Sequence, residues 1–149
     1  MTEQQEIQKQ FRQQQEKFVY YLIALSVTSI GFSIYKTVGQ PLKFTQIPLA
    51  VSVFSWGISI FCGFKFLKYV ISTLFSNNEY LDIQQGKNKE TGNNPQLINA
   101  ASKGIKNAMM SNSNKANSFF NWQQYLFYLG IVSFLIWHLL EMYSITNIS

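Results

Sequence analysis

The chain has 149 residues, 47% apolar, 16% aromatic and only 13% charged, with a formal charge of +5. Disorder is excluded, because it needs low hydrophobicity together with high net charge, and the length leaves room for one domain. The single cysteine excludes an intramolecular disulfide framework, and with no Cys/His cluster neither a metal site nor a cofactor is expected.

Residues 1–17 place Ile7, Phe11 and Gln14 in a 4-3-4 series that ends at Phe18. This is one seam of a helix, with Gln14 as its polar interruption. The segment has neither Gly nor Pro, so an amphipathic helix is expected to run unbroken into the next block. Residues 18–35 carry no charge, and a first transmembrane span is expected over 18–38. A hydrocarbon core about 30 Å thick takes roughly 20 residues, and a backbone in lipid must satisfy its own hydrogen bonds, which makes each such span a helix. A cleavable signal is not expected. The leader carries Glu3, Glu6 and Glu16, and no small-residue cleavage pattern follows Tyr35.

Gly39, Pro41 and Pro48 punctuate the next stretch, so residues 39–46 are expected to turn the chain back into a second span over 47–64. The apolar pattern persists beyond Lys65 and Lys68 through Phe66, Leu67, Tyr69, Val70, Ile71, Leu74 and Phe75. Residues 47–64 already reach about 27 Å, so the helix should leave the membrane and continue to about residue 85. A loop is expected over 86–94, GKNKETGNN. Asn94-Pro95 then supplies an N-cap and a proline at the first helical position. The helix over 95–110 has Leu97, Ala101, Ile105, Ala108 and Met109 on one face, with Lys103 and Lys106 towards the other. It would pack on the extended second helix or lie on a membrane surface. Residues 111–121 are rich in Asn and Ser and read as a polar junction before a third span over 122–143. The expected fold is all-α, an integral membrane protein with three transmembrane helices.

Ten basic residues flank one side of these spans: Lys9, Arg12 and Lys17 in the leader, and seven lysines between residues 65 and 115. Only Lys36 and Lys43 fall on the other side. The positive-inside tendency therefore puts the amino terminus and the long loop in the cytoplasm and the carboxyl terminus outside, in a bacterial inner membrane. Anionic lipid headgroups account for the basic charge, so membrane lipid is the expected partner and a nucleic acid polymer is not.

Candidate chemistry is sparse. There is no glycine-rich phosphate loop, and the sole histidine lacks the acid that would complete a triad, so no enzyme activity is expected. His138 and Glu141 share a helix face three residues apart and are the candidates for a proton or ion relay. Ser55, Ser59 and Gly63 form a small-residue line in the second span, Ser29 and Ser33 repeat the spacing in the first, and Gly130 and Ser133 offer a patch in the third. Such lines let helices approach closely, and three helices bury little alone, so a homo-oligomer is expected. Lys87, Lys89, Lys103 and Lys106 lie close in sequence to the Asn94-Pro95 helix start and are candidates for contact with an anionic cytoplasmic ligand or lipid.

These features suggest a small oligomeric membrane protein whose spans form or disturb a pore and whose cytoplasmic helices take an input. In organisation the plan resembles the small membrane effectors of bacterial antiphage defence and, more loosely, three-span phage holins. The charge topology is the reverse of the common three-span holin arrangement. The alternatives are a non-conducting accessory subunit that anchors a larger complex with a protein partner, and a proton-coupled carrier using His138 and Glu141.

Overall fold

A computed structural model of the chain describes residues 3–41, 43–88, 91–92 and 94–146. The regular elements among them are all helical: α1 (Glu3–Thr37), a 3₁₀ turn (Phe44–Gln46), α2 (Ile47–Gln84) and α3 (Pro95–Thr146). The fold is all-α, and its three α-helices are long and apolar enough to cross a membrane.

Local chemistry sets the ends of these helices. α1 gives way to a turn at Gly39, whose φ of 76° is left-handed backbone that glycine adopts without strain. Pro48 sits in the first turn of α2, where a missing N–H costs little, and its carbonyl accepts the Ser52 hydroxyl at 2.8 Å. α2 closes in a Schellman arrangement at Gly86 (φ 67°). There Gly86 N–H donates to the Ile83 carbonyl and Lys87 N–H to the Asp82 carbonyl. Asn94 caps α3, its Oδ1 accepting the Gln96 N–H at 3.0 Å and the Leu97 N–H at 3.5 Å.

Two expectations are corrected. Residues 111–121 are not a junction between two helices, because α3 runs through them unbroken. Asn and Ser cost a helix only about half a kilocalorie per mole each. The stretch has no Pro or Gly, and helix already propagating from both sides crosses it cooperatively. The packed face of α3 before residue 120 also differs from the expected one. It runs through Ile98, Ser102, Ile105, Met109, Asn112 and Ala116, whereas Leu97 and Ala108 are exposed. The 4-3-4-3-4 spacing of the packed set is the coiled-coil register, which selects a face by partner contact rather than by hydrophobicity alone.

The chain divides into two compact units: residues 1–63 with 120–149, and residues 64–119. In the first, α1, the first half of α2 and the second half of α3 pack together. In the second, the remaining parts of α2 and α3 form a helical hairpin cored by Phe66, Val70, Ile83 and Ala116. Within that hairpin Tyr69 stacks on Phe119 at 5.7 Å between ring centroids, and the Asn112 amide donates to the Ser72 hydroxyl at 3.0 Å.

Candidate functional site

The three-helix unit is inverted relative to a water-soluble bundle. Its outside carries Leu25, Val27, Ile34, Phe54 (73% exposed), Ile58, Leu129, Val132, Leu135 and Leu139 (65% exposed). Its inside carries Ser26, Ser33, Ser52, Ser55, Ser59, Gln123 and Ser133, all buried. A continuous apolar exterior of this kind is costly in water and matches the hydrocarbon of a bilayer. Small hydroxyl residues inside let helix backbones approach where lipid gives no hydrophobic drive for association.

The buried positions advance in steps of three and four along each helix. On α1 they are Val19, Leu22, Ser26 and Ser33; on α2, Leu49, Ser52, Ser55, Trp56, Ser59, Cys62 and Gly63; on α3, Gln123, Phe127, Gly130, Ser133 and Trp137. Two of the contacts are very close. A Cβ at Gly63 would lie 2.6 Å from Gln123 Nε2 and 2.9 Å from the Ile23 side chain. A Cβ at Gly130 would lie 2.6 Å from Cδ1 of the Trp56 indole.

Gln123 ties all three helices together. Fully buried, it accepts the Ser59 hydroxyl of α2 on its main-chain carbonyl at 2.9 Å. Its side-chain Nε2 donates to the Val19 carbonyl of α1 at 3.4 Å. Its Oε1 is buried without a partner, as are the Ser26 hydroxyl and the indole N–H groups of Trp56 and Trp137. Ser33 is satisfied within its own helix, donating to the Ser29 carbonyl at 2.8 Å. Around Trp56 the interior turns apolar, with Leu22, Phe127, Ile30, Ile131 and Phe134 in one cluster. Buried polar side chains therefore lie on both sides of the apolar cluster at Trp56, with Gln123 and Ser59 towards one end and Ser33 and Ser52 towards the other.

Of the small residues singled out in the sequence, Ser33, Ser55, Ser59, Gly63 and Gly130 are buried within this one chain. Ser29 is half-buried beside a groove of about 320 Å³ that Thr28, Phe32, Trp56, Ile131, Phe134 and Leu135 also line. His138 is exposed on the outside of the unit, and Glu141 is half-buried one turn beyond the buried Trp137. Lys103 and Lys106 line a groove in the two-helix unit, Lys87 is exposed just beyond α2, and Lys89 lies outside the described residues. The start of α3 has its N–H groups of Gln96 and Leu97 taken by Asn94. Sequence reading missed Gln123, Ser26 and Ser52. The available signal was the register: Gln123 continues the spacing of Asn112, Ala116 and Phe119 into the apolar run.

Compared with known proteins, the chain matches no family model, no curated sequence and no solved structure.

Proposed function

We propose that the chain is a small, non-enzymatic multi-pass membrane protein that works as a homo-oligomer and changes the permeability of its membrane. In this reading residues 64–119 lie in the cytoplasm and take the input, the amino terminus is cytoplasmic, and the carboxyl terminus is outside a bacterial inner membrane. The observation that carries it is the line of buried polar groups inside an apolar shell, four of whose atoms have no hydrogen-bond partner. Small residues by themselves serve close packing, but each unpaired buried polar group costs about 1–3 kcal/mol, a cost that packing does not require. Buried polar groups without a protein partner are candidate contacts for water or an ion. Separation of the helices at Gly63 and Gly130 would shift the Trp56 indole and let Ser26, Ser59 and Gln123 line a path for water or ions within each copy.

The test is a flux measurement. The full chain reconstituted in vesicles of phosphatidylcholine and phosphatidylglycerol is expected to dissipate an imposed potassium or proton gradient, and its expression in bacteria to depolarise the inner membrane. Vesicles that stay tight, with cells that keep their potential, would refute the reading. An antiphage role belongs to the same proposal, and arrest of growth during phage challenge is its readout. A second reading, as an accessory subunit, is favoured by the groove beside Ser29 and Phe32. It requires the protein to be harmless alone and to co-purify with a different membrane protein.

A further inference from the structure

In the two-helix unit a groove of about 570 Å³ is lined by Tyr80 and Gln84 of α2 and by Pro95, Ile98, Asn99, Ser102, Lys103, Lys106 and Asn107 of α3. From this groove we infer that residues 64–119 bind a phosphate-bearing ligand, with Lys103 and Lys106 as its counter-charges. The inference rests on the reading of this unit as the input side, and names the chemistry of that input.

Every charged side chain in the lining is positive, and no carboxylate is among them. Residues 64–119 as a whole hold seven lysines against Glu79, Asp82 and Glu90, so most of the chain's +5 charge resides here. Lys103 and Lys106 lie three residues apart, on one face of α3. The Lys106 ammonium sits 5.3 Å from the centre of the Tyr80 ring, a cation–π contact that holds it at the groove wall without neutralising it. Ser102 forms the floor and is only 6% exposed. Its oxygen accepts from Gln84 Nε2 at 2.9 Å, and a hydroxyl that accepts one hydrogen bond keeps a proton to donate. The side chains of Asn99 and Asn107 add amide donors. Two ammonium groups with hydroxyl and amide donors suit the several oxygens of a phosphate better than the two of a carboxylate. The volume lies within the 300–1,000 Å³ range of small-molecule sites, with room for more than the anion itself. A lipid headgroup and a soluble phosphorylated metabolite offer the same recognition chemistry.

The experiment uses the full chain in phosphatidylcholine nanodiscs and reads binding alone, so it stands or falls separately from any flux. Inorganic pyrophosphate and adenosine triphosphate are titrated by calorimetry. In parallel, discs containing phosphatidylglycerol are analysed by native mass spectrometry for retained lipid. Binding is expected to be weakened about tenfold or more by the Lys103→Gln/Lys106→Gln double variant, and no more than about twofold by Lys68→Gln/Lys115→Gln, which removes the same charge outside the groove. Saturable binding of a soluble probe identifies a soluble ligand, and selective retention of phosphatidylglycerol identifies a headgroup; either result supports the site if it shows this variant pattern. Absence of both, or equal loss in the two double variants, overturns it.

Discussion

A side chain at position 130 larger than hydrogen must displace the Trp56 indole, whose Cδ1 lies 2.6 Å from where a Cβ would stand. The indole is walled by Leu22 and Phe127 and by the Phe134 ring at 5.8 Å, so it has little room to yield. Gly130→Ala is therefore expected to destabilise the three-helix unit by about 1–3 kcal/mol, the usual cost of overpacking, and to lower its thermal midpoint in detergent. Combining it with Trp56→Ala should recover part of that loss; an additive double variant would show that the contact is not where the strain lies. Gln123 makes the opposite case. Gln123→Leu removes an unpaired buried oxygen and one long hydrogen bond but leaves the main-chain carbonyl that Ser59 uses. Helix content and midpoint should stay close to wild type while any flux falls. Loss of fold instead of flux would make Gln123 a structural clamp.

At the scale of the helices, α2 and α3 are each longer than one bilayer crossing. Their 38 and 52 residues give about 57 and 78 Å at 1.5 Å per residue, against a hydrocarbon core of about 30 Å. The uninterrupted α3 is the element that departs most from the sequence expectation. Hydrogen exchange should find the amides of residues 111–121 protected like their neighbours on both sides; fast exchange confined to that stretch would restore the junction. Asn114→Pro, at an exposed position, should cost about 3 kcal/mol or more through the lost bond and ring clash. The Gly86 turn is a second local test. Gly86→Ala forces a left-handed residue at φ 67° and should cost about 1–2 kcal/mol, read as a lower midpoint with the helix content kept.

At the scale of the molecule, orientation and assembly are the open physical quantities. In the proposed orientation the carboxyl terminus lies on the side with fewer lysines. Ser144→Cys is expected to react with a membrane-impermeant maleimide in intact cells, while the buried Cys62 stays silent as a built-in background control. Labelling only after permeabilisation would invert the topology. Assembly has to use surfaces other than the small-residue line of α2, since Ser55, Ser59 and Gly63 are occupied inside the chain. The exposed Phe54 and Ile58 on the same helix offer surface to lipid or to another copy.

The number of spans, their helical character and the turn between the first two were legible in the sequence, because hydropathy, charge exclusion and the breakers Gly39, Pro41 and Gly86 all act over a few residues. The continuation of the second helix beyond Lys65 was legible for the same reason. What needed the tertiary structure was which helix covers each small-residue line, and that Gln123, Ser26 and Ser52 join those lines inside. Serine and glutamine look like interruptions of an apolar run until a helix from elsewhere in the chain covers them. The pairs that settle the matter are separated by 64 residues for Ser59 with Gln123 and by 104 for Gln123 with Val19. Small-residue spacing marks a line for close approach on each span, but which helix covers that line is not a local property. Close packing across Gly63 and Gly130 selects that helix, and only assembled helices have that contact.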